Sequence, residues 1–239
     1  MSEGAPLWDV AVRKTIGSGE HRFVLDLAFR SDASRLVLFG PSGAGKSLTL
    51  KVLAGLLRPD AGRVSVGGAV LFDGARRLDL ATRHRRVGYV FQEYALFPHL
   101  DVRQNVAFGL SAGWRNPQRA VASAHVDRWL ETCGLGACAS RFPDQLSGGQ
   151  RQRTALARAL AGEPRMLLLD EPFAALDASL RARLRHELAE LQARTGLPTL
   201  LITHDEADVA AFADEVVEID GGRATGQRRI AGRAEGPDR

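Results

Sequence analysis

The sequence of 239 residues predicts an α/β fold with a parallel-sheet core, an N-terminal antiparallel β subdomain and an inserted helical subdomain. Three observations support this prediction. Apolar runs at 35–39, 165–171 and 199–204 have the continuous hydrophobicity of strands that are buried on both faces of a parallel sheet. Helical patterns alternate with these runs, as crossover connections require. Between residues 93 and 163 helical patterns dominate, which indicates an insertion between strands.

The individual elements follow from periodicity. Polarity alternates along 7–13 and 23–29, which predicts two strands joined by a turn-rich stretch. The run at 35–39 leads directly into a glycine-rich loop and then into a helix over 46–57, which Pro59 stops. Further strands are predicted around 62–74, at 86–91 and at 215–220, and further helices at 117–133, 149–162, 178–194 and 206–213.

We expect a single domain over 1–239. In it, 1–92 and 164–226 form the core and the β subdomain, 93–163 form the helical subdomain, and 227–239 form a loose polar tail. Hydrophobic residues make up 45% and charged residues 25% of the chain, which are values typical of globular proteins. No signal-peptide pattern is present, and no apolar run approaches the roughly 18 residues of a membrane span. A cytoplasmic location is therefore expected.

The net charge of +4 comes almost entirely from arginine. Acidic residues dilute the nearest basic runs, at 83–86 and 223–239, so no contiguous basic stripe is predicted and a nucleic-acid partner is not expected. Cys133 and Cys138 have no second ligand pair and no histidine cluster nearby. Reduced structural thiols are therefore favoured over a metal site.

The glycine-rich segment "GPSGAGKS" has the composition of a loop that binds phosphate, and we call it the phosphate loop (Gly40–Ser47). Its glycines let backbone N–H groups wrap an anion, and the helix that follows adds its positive dipole end. Lys46 can reach the β- and γ-phosphates, and Ser47 can hold Mg²⁺. The residues predicted to bind nucleotide here are Gly40, Pro41, Ser42, Gly43, Ala44, Gly45, Lys46, Ser47 and Leu48.

Two carboxylates follow the apolar run Met166–Leu169. A carboxylate at the C-terminal end of a parallel strand lies at the edge where ligands bind. Asp170 is accordingly predicted to hold Mg²⁺, and Glu171 to act as the base for a water that attacks the γ-phosphate. Asp-Glu at a strand end is by itself an ordinary helix-capping pattern, and the phosphate loop upstream is what favours the catalytic interpretation.

A second glycine pair lies in "LSGGQ", the signature loop (Leu146–Gln150), in front of a basic helical segment. Together with the phosphate loop and Asp170–Glu171, this motif resembles the nucleotide-binding domain of ABC (ATP-binding cassette) proteins. The resemblance spans about 7–226 and includes three further motifs in order, which contain Gln92 in "FQE", Asp177 in "ALD" and His204 in "ITHD".

The resemblance implies the P-loop NTPase core of the ABC ATPase fold, with ATP and Mg²⁺ as ligands. It also implies a head-to-tail homodimer, in which each signature loop covers the ATP held by the other subunit. The residues that it places on the partner's nucleotide are Ser147, Gly148, Gly149, Gln150 and Asp177. Gln92 becomes a catalytic residue that also binds the metal and senses the γ-phosphate, and His204 becomes a second catalytic residue. The adenine-stacking position of the family carries no aromatic residue here, which leaves Ile16 and Phe23 as the candidates.

Residues 70–110 resemble the ATP-hydrolysing subunits of importers, most closely the molybdate class. This resemblance implies a polytopic membrane permease as partner of the docking segment (residues 93–105), a substrate-binding protein as indirect partner, and a peripheral position at the cytoplasmic side of the inner membrane. Tyr94, Leu96, Phe97 and Leu100 form either the docking cluster or part of the helical core. Another solute (sulfate, polyamine, sugar or metal) and a soluble ABC ATPase without a transport role are the alternatives.

Overall fold

The computed structural model describes residues 5–110, 116–118, 123–174, 176 and 178–230. In chain order the strands are β1 (Trp8–Ile16), β2 (Phe23–Ser31), β3 (Arg35–Phe39), β4 (Ala61–Val66), β5 (Ala69–Asp73), β6 (Leu78–Asp79), β7 (Val87–Val90), β8 (Met166–Asp170), β9 (Thr199–Thr203), β10 (Glu215–Asp220) and β11 (Arg223–Arg229). The helices are α1 (Lys46–Ala54), α2 (Thr82–Arg85), α3 (Val102–Phe108), α4 (Ala124–Thr132), α5 (Gly148–Ala161), α6 (Ala178–Thr195) and α7 (Glu206–Phe212).

The chain forms two compact units. The first unit comprises 1–85 and 189–239, and the second comprises 86–188. This division assigns β7 and β8 to the same unit as helices α3, α4 and α5. The prediction from the sequence placed these two strands in the core with 1–92 and 164–226.

An antiparallel sheet in the first unit has the strand order β2-β1-β4-β5-β6. β1 and β2 pair along their whole length, from Trp8 opposite Ser31 to Ile16 opposite Phe23. Side chains alternate across this hairpin, and Trp8, Val10 and Leu25 are fully buried. The predicted N-terminal β subdomain is therefore present, and its alternating polarity reflects one buried and one solvated face.

Parallel strands lie beside the phosphate loop in the same unit. β3 pairs in parallel with β10 on one side and with β9 on the other. Its central residues Leu36, Val37 and Leu38 have no exposed surface, as expected for a strand that is covered on both faces. β11 pairs antiparallel with β10 and carries the chain to Arg229. The prediction of a loose tail from residue 227 is therefore wrong for residues 227–229, because these residues belong to a paired strand.

The second unit contains the parallel pair β7–β8 and the helices α3, α4 and α5. The helices bury an apolar core formed by Val102, Val106, Val126, Leu130, Leu135, Leu146 and Ala157, among other residues. Cys133 and Cys138 are buried in this core, and neither takes part in a disulfide. The helix predicted over 117–133 begins only at Ala124, where the Ser123 hydroxyl accepts a hydrogen bond from the Val126 amide, and residues 119–122 lie outside the described chain.

None of the described helices combines the length and the apolar character needed to cross a membrane.

A buried arginine joins the elements of the first unit. Arg85 is 2% exposed, and its guanidinium donates hydrogen bonds to the carbonyl oxygens of Leu80 at 2.6 Å, Val52 at 2.7 Å and Leu53 at 2.9 Å. It also donates to Asp79 Oδ1 at 2.9 Å. Burial lowers the pKa of Arg85, and the Asp79 carboxylate opposes this shift. One member of the basic run 83–86 is thus an interior residue, which caps the carbonyl end of α1.

Replacing Arg85 should destabilise the fold. Arg85→Met keeps much of the side-chain volume but leaves the buried carbonyls and Asp79 without their donor. We expect the free energy of unfolding to fall by about 3 kcal/mol. Urea denaturation monitored by circular dichroism measures this change. Arg83→Met, at an exposed position of the same helix, is the matched control and should change stability by less than about 0.5 kcal/mol. Equal effects of the two substitutions would contradict the structural role of Arg85.

Candidate functional site

The phosphate loop lies between β3 and α1 and is packed against the end of β10. A Cβ at Gly40 would lie 2.0 Å from the carbonyl oxygen of Ile219, so only glycine fits at this position. The amide of Gly222 donates a hydrogen bond to the Ala44 carbonyl at 3.0 Å. The loop is therefore held from the side of β10 and of the turn that follows it.

Helix α1 begins beside this loop with the features of an anion site. Its N-cap residue, Gly45, has φ of 101°, and its first turn contains no acidic residue. Lys46 is buried, and its ammonium group donates hydrogen bonds to the carbonyl oxygens of Gly40 at 2.7 Å and Pro41 at 2.9 Å. Residues 41–43 are exposed. A positive helix end, a lysine and an exposed glycine-containing backbone together suit a phosphate group.

Phe23 contacts the same loop. A Cβ at Gly45 would lie 3.1 Å from the Phe23 Cζ atom, so the ring reaches the N-terminus of α1. Phe23 is half-buried and lies opposite Ile16 in the β1–β2 register. It also lines an open depression of about 470 Å³ beside the β10–β11 turn. The aromatic ring and Ile16 thus share the hairpin end that approaches the phosphate loop.

His204 belongs to the same edge of the parallel strands. In the β3–β9 register Phe39 is opposite Thr203, so the residues that follow them, Gly40 and His204, leave the sheet at the same level. The His204 side chain is exposed. The turn is fixed by the Thr203 hydroxyl, which accepts a hydrogen bond from the Asp205 amide at 3.0 Å, and by Asp205, which caps α7.

In the second unit, the strands β7 and β8 end at one level. Val90 is opposite Leu169, so Gln92 and Glu171 both follow two residues later at the same edge. The Tyr89 hydroxyl donates a hydrogen bond to Asp170 Oδ2 at 3.1 Å, and burial, together with the negative charge of Asp170, raises the pKa of Tyr89. Glu171 has φ of 43°, a left-handed conformation that non-glycine residues rarely adopt. Tyr89 could not be predicted from the sequence, because an aromatic residue inside an apolar run has no local signal for the partner of its hydroxyl group.

The signature loop forms the N-terminus of α5. The Ser147 hydroxyl accepts a hydrogen bond from the Gln150 amide at 3.3 Å, and the Gln150 side chain accepts one from the Ser147 amide at 2.9 Å. This capping box leaves Ser147 exposed at the positive end of a 14-residue helix without acidic residues in its first turn.

The two glycines of this loop also have a packing role. A Cβ at Gly148 would lie 3.0 Å from Leu176, and one at Gly149 would lie 3.1 Å from Leu180. The approach of a ligand is the predicted role of these glycines, and close packing against leucine side chains is a second reason for them. Asp177, the other residue predicted to face the partner's nucleotide, lies outside the described residues.

Most of the predicted docking cluster is interior. Tyr94 and Leu100 are 5% and 2% exposed, and Leu96 packs against the helical core. The Phe97 ring lies 4.2 Å from that of Phe108, measured between centroids. The interpretation of these side chains as core therefore applies, at least for Tyr94 and Leu100. Near this segment, the side chains that reach solvent include Phe91, Glu93, Pro98 and His99.

Each unit contains predicted metal-binding residues with the chemistry that Mg²⁺ prefers. The Ser47 hydroxyl in the first unit and the Gln92 amide and Asp170 carboxylate in the second are oxygen donors, which Mg²⁺ prefers. Within the ranges that the structure describes, no group of three or more His, Cys, Asp or Glu residues is arranged to hold a metal ion.

Comparisons with known proteins bear on these residues. The family model described as ABC transporter matches residues 26–174. The chain is 47% identical over 195 residues to the sulfate/thiosulfate import ATP-binding protein CysA of Caulobacter vibrioides, covering 81% of this chain and 56% of that protein. It is 46% identical over 213 residues to the molybdenum import ATP-binding protein ModC of Rhodospirillum rubrum, covering 88% and 55%. The Fe(3+) ions import ATP-binding protein FbpC of Pseudomonas fluorescens is 45% identical over 215 residues, covering 89% and 58%.

Solved structures agree with the fold. The ATP-binding cassette MJ0796, solved as a dimer in a post-hydrolysis state bound to ADP and Pi, superposes with a TM-score of 0.76 at 28% identity, covering 95% of this chain and 99% of that chain. The predicted fold class is thereby confirmed. The chain spans a little over half the length of the curated relatives it matches.

The close approach of Gly40 to the Ile219 carbonyl oxygen can be tested by a substitution that adds one methyl group. Gly40→Ala places a Cβ against the Ile219 carbonyl and should force the loop and β10 apart, which lowers the free energy of unfolding by about 2–3 kcal/mol. Thermal and urea unfolding measure the loss. Gly136→Ala is the matched control, because a Cβ there meets no atom within 4 Å. If Gly40→Ala were as stable as the control, the contact between this loop and β10 would be disproved.

Proposed function

Since the chain belongs to the ABC transporter family, we propose that it is the ATP-hydrolysing subunit of an importer and works through ATP-driven, head-to-tail dimerisation. The observation that carries this proposal is that two separate helices lack acidic residues in their first turn, which suits each N-terminus to an anion. One is α1 behind the phosphate loop, and the other is α5 behind the signature loop. A single triphosphate held by two copies of the chain accounts for both.

The phosphate loop holds the nucleotide in this proposal. Its backbone N–H groups and Lys46 bind the β- and γ-phosphates, while the N-terminus of α1 stabilises their charge. Phe23 supplies the apolar surface for the adenine ring, because it is the aromatic residue that contacts the loop at Gly45. Ile16, opposite Phe23, extends that surface.

The remaining residues act on the γ-phosphate. Glu171 removes a proton from the attacking water, and His204 stabilises the charge that develops on the phosphate oxygen. Ser47, Gln92 and Asp170 would hold Mg²⁺, which neutralises phosphate charge when bound. Tyr89 orients the Asp170 carboxylate through its hydrogen bond. Gln92 senses whether a γ-phosphate is bound, and its position then affects the docking segment that follows it.

Dimerisation follows from the second helix end. Ser147 is exposed, and the amides at the start of α5 have no acidic residue beside them. The γ-phosphate of an ATP in the other subunit would satisfy these amides, so ATP would join the two copies and hydrolysis would remove the contact. The related cassette MJ0796 has been solved as a dimer bound to ADP and Pi, which supports dimerisation in general terms.

The importer assignment is supported by the relatives, whose names describe import of sulfate/thiosulfate, molybdenum and Fe(3+) ions. We propose a polytopic permease as the partner of the docking segment, a substrate-binding protein as indirect partner, and a peripheral position at the cytoplasmic side of the inner membrane. The exposed Phe91, Pro98 and His99 are the candidates for that contact. An oxyanion such as molybdate is the proposed solute.

Removing the loop lysine should impair nucleotide binding. Lys46→Ala deletes the charged donor to the phosphates, and we expect ATP affinity to fall about 10- to 100-fold, with a loss of turnover at least as large. Isothermal calorimetry and phosphate release measure the two effects. Lys51→Ala, at an exposed position of the same helix, should behave like the unmodified protein. Unchanged hydrolysis in Lys46→Ala would contradict the nucleotide site.

The dimer is tested by trapping it. Glu171→Gln keeps the shape of the side chain, cannot accept the proton and removes a negative charge, so ATP should bind without cleavage and the protein should accumulate as a dimer with two nucleotides. Light scattering with ATP in the absence of Mg²⁺ measures the mass. Adding Ser147→Arg should abolish the dimer, while each monomer still binds ATP through its own phosphate loop.

Ser140→Arg is the control for added bulk and charge, since Ser140 is exposed in the same unit but outside the signature loop. In the Glu171→Gln background it should leave the dimer intact. A Glu171→Gln protein that stays monomeric at high concentration, both alone and assembled with the permease, would rule out the ATP-joined dimer.

A further inference from the structure

The backbone after Gln92 is held in an unfavourable conformation. Tyr94 and Ala95 have φ of 62° and 45°, and two consecutive non-glycine residues in the left-handed region are rare. Neither residue has a side chain that stabilises this conformation locally, as asparagine or aspartate would. The surrounding structure must therefore hold the turn in place.

Backbone hydrogen bonds fold the chain tightly at this point. The Tyr94 amide donates to the Phe91 carbonyl at 2.8 Å, and the Ala95 amide donates to the Glu93 carbonyl at 2.7 Å. Gln92 is thus one of the two central residues of a four-residue turn from Phe91 to Tyr94. The direction of the Gln92 side chain depends on whether Tyr94 and Ala95 keep their left-handed conformation.

The carbonyl groups of these two residues are bound by one arginine. Arg158 Nη1 donates to the Ala95 carbonyl at 2.7 Å, and Nη2 donates to the Tyr94 carbonyl at 2.8 Å. The same guanidinium lies 5.6 Å from the centre of the Phe97 ring. A planar fork of two donors matches two neighbouring carbonyls in a way that a point charge cannot.

Arg158 forms no ion pair with a carboxylate among the residues that the structure describes. Its charge is only partly exposed, and burial lowers its pKa. The described partners of the half-buried Arg158 charge are two carbonyl groups and an aromatic ring. Burying this charge costs free energy, and an apolar residue would fill the same space without that cost. The two carbonyls are therefore the feature that requires an arginine.

Arg158 also lies on α5, the helix that begins at the signature loop. Ser147 and Arg158 are separated by 11 positions, or about three helical turns, so one rigid element carries both groups. α5 further packs against α3, which begins at the end of the docking segment. A displacement at the N-terminus of α5 would thus reach the turn at Tyr94 and Ala95 through a single side chain.

We propose that Arg158 is a positioning residue, which holds the Gln92 turn in its left-handed conformation and makes the docking segment follow the movement of α5. The expected effect of this contact on ATP hydrolysis rests on the proposed function. The effect on the turn itself does not, since it depends only on the contacts within the second unit.

The test compares Arg158→Lys with Arg141→Lys, an exposed arginine of the same unit. Hydrogen exchange of the amides of residues 93–97 should accelerate at least tenfold in Arg158→Lys and remain unchanged in Arg141→Lys. For ATP hydrolysis, kcat should fall about tenfold while KM changes less than twofold, because the phosphate loop and Lys46 still bind the nucleotide and only the Gln92 side chain, which acts at the γ-phosphate, is misplaced.

A rescue variant separates positioning from simple stabilisation. Glycine adopts positive φ without a Cβ penalty, so Ala95→Gly should restore most of the kcat lost in Arg158→Lys, although it touches neither the helix nor the nucleotide. A loss that comes only from weaker packing of α5 would not respond to a glycine at 95. Thermal unfolding of Arg158→Lys, Arg141→Lys and the double variant Arg158→Lys/Ala95→Gly shows whether each is folded.

Each outcome decides the proposal. Normal exchange at 93–97 in Arg158→Lys, or a kcat equal to that of Arg141→Lys, would overturn it. Failure of Ala95→Gly to restore kcat would also overturn it, whether or not Arg158→Lys is thermally weakened. If the unmodified protein hydrolyses no ATP, the proposed function fails, while the exchange measurement still decides whether Arg158 holds the turn.

Discussion

The parallel pairing of β3 with β9 and β10 is the constraint on which the first unit depends. These strands are buried on both faces, so their backbone groups must pair with one another and their registers cannot slip without exposing apolar side chains or unpaired amides. Their C-terminal ends are consequently level. The phosphate loop, His204 and the β10–β11 turn all leave the sheet at this edge, which is the edge where ligands bind in open α/β sheets.

Close backbone approach is the second requirement, and glycine meets it in two different ways. At Gly40 a carbonyl oxygen of the neighbouring strand occupies the space of a Cβ, so the glycine fixes where the loop lies. At Gly148 and Gly149 the neighbours are leucine side chains from 176 and 180, which bring α6 close to the start of α5. A glycine in a binding motif thus positions the motif within its own subunit as well as allowing a ligand to approach.

Features with a local signal could be predicted from the sequence. An apolar run followed by a glycine-rich loop and a helix marks Lys46 as a candidate phosphate-binding residue. An apolar run that ends in two acidic residues marks Asp170 and Glu171 as candidates for metal binding and catalysis. The contacts of Tyr89 and Arg158 have no such signal, because each joins residues at least 60 positions apart. Apolarity alone also could not show that Tyr94 is interior while Phe91 reaches solvent, since a docking surface and a core use the same residue types.

Left-handed residues mark the ends of β7 and β8. Glu171 follows β8 directly, and Tyr94 and Ala95 follow β7 at the Gln92 turn, although glycine would adopt each conformation at lower cost. A non-glycine residue keeps the strained conformation only while its partners are in place. The orientation of Gln92 therefore depends on a contact from α5, and a change at one end of that helix can alter the side chain at the end of β7 without any change in β7 itself.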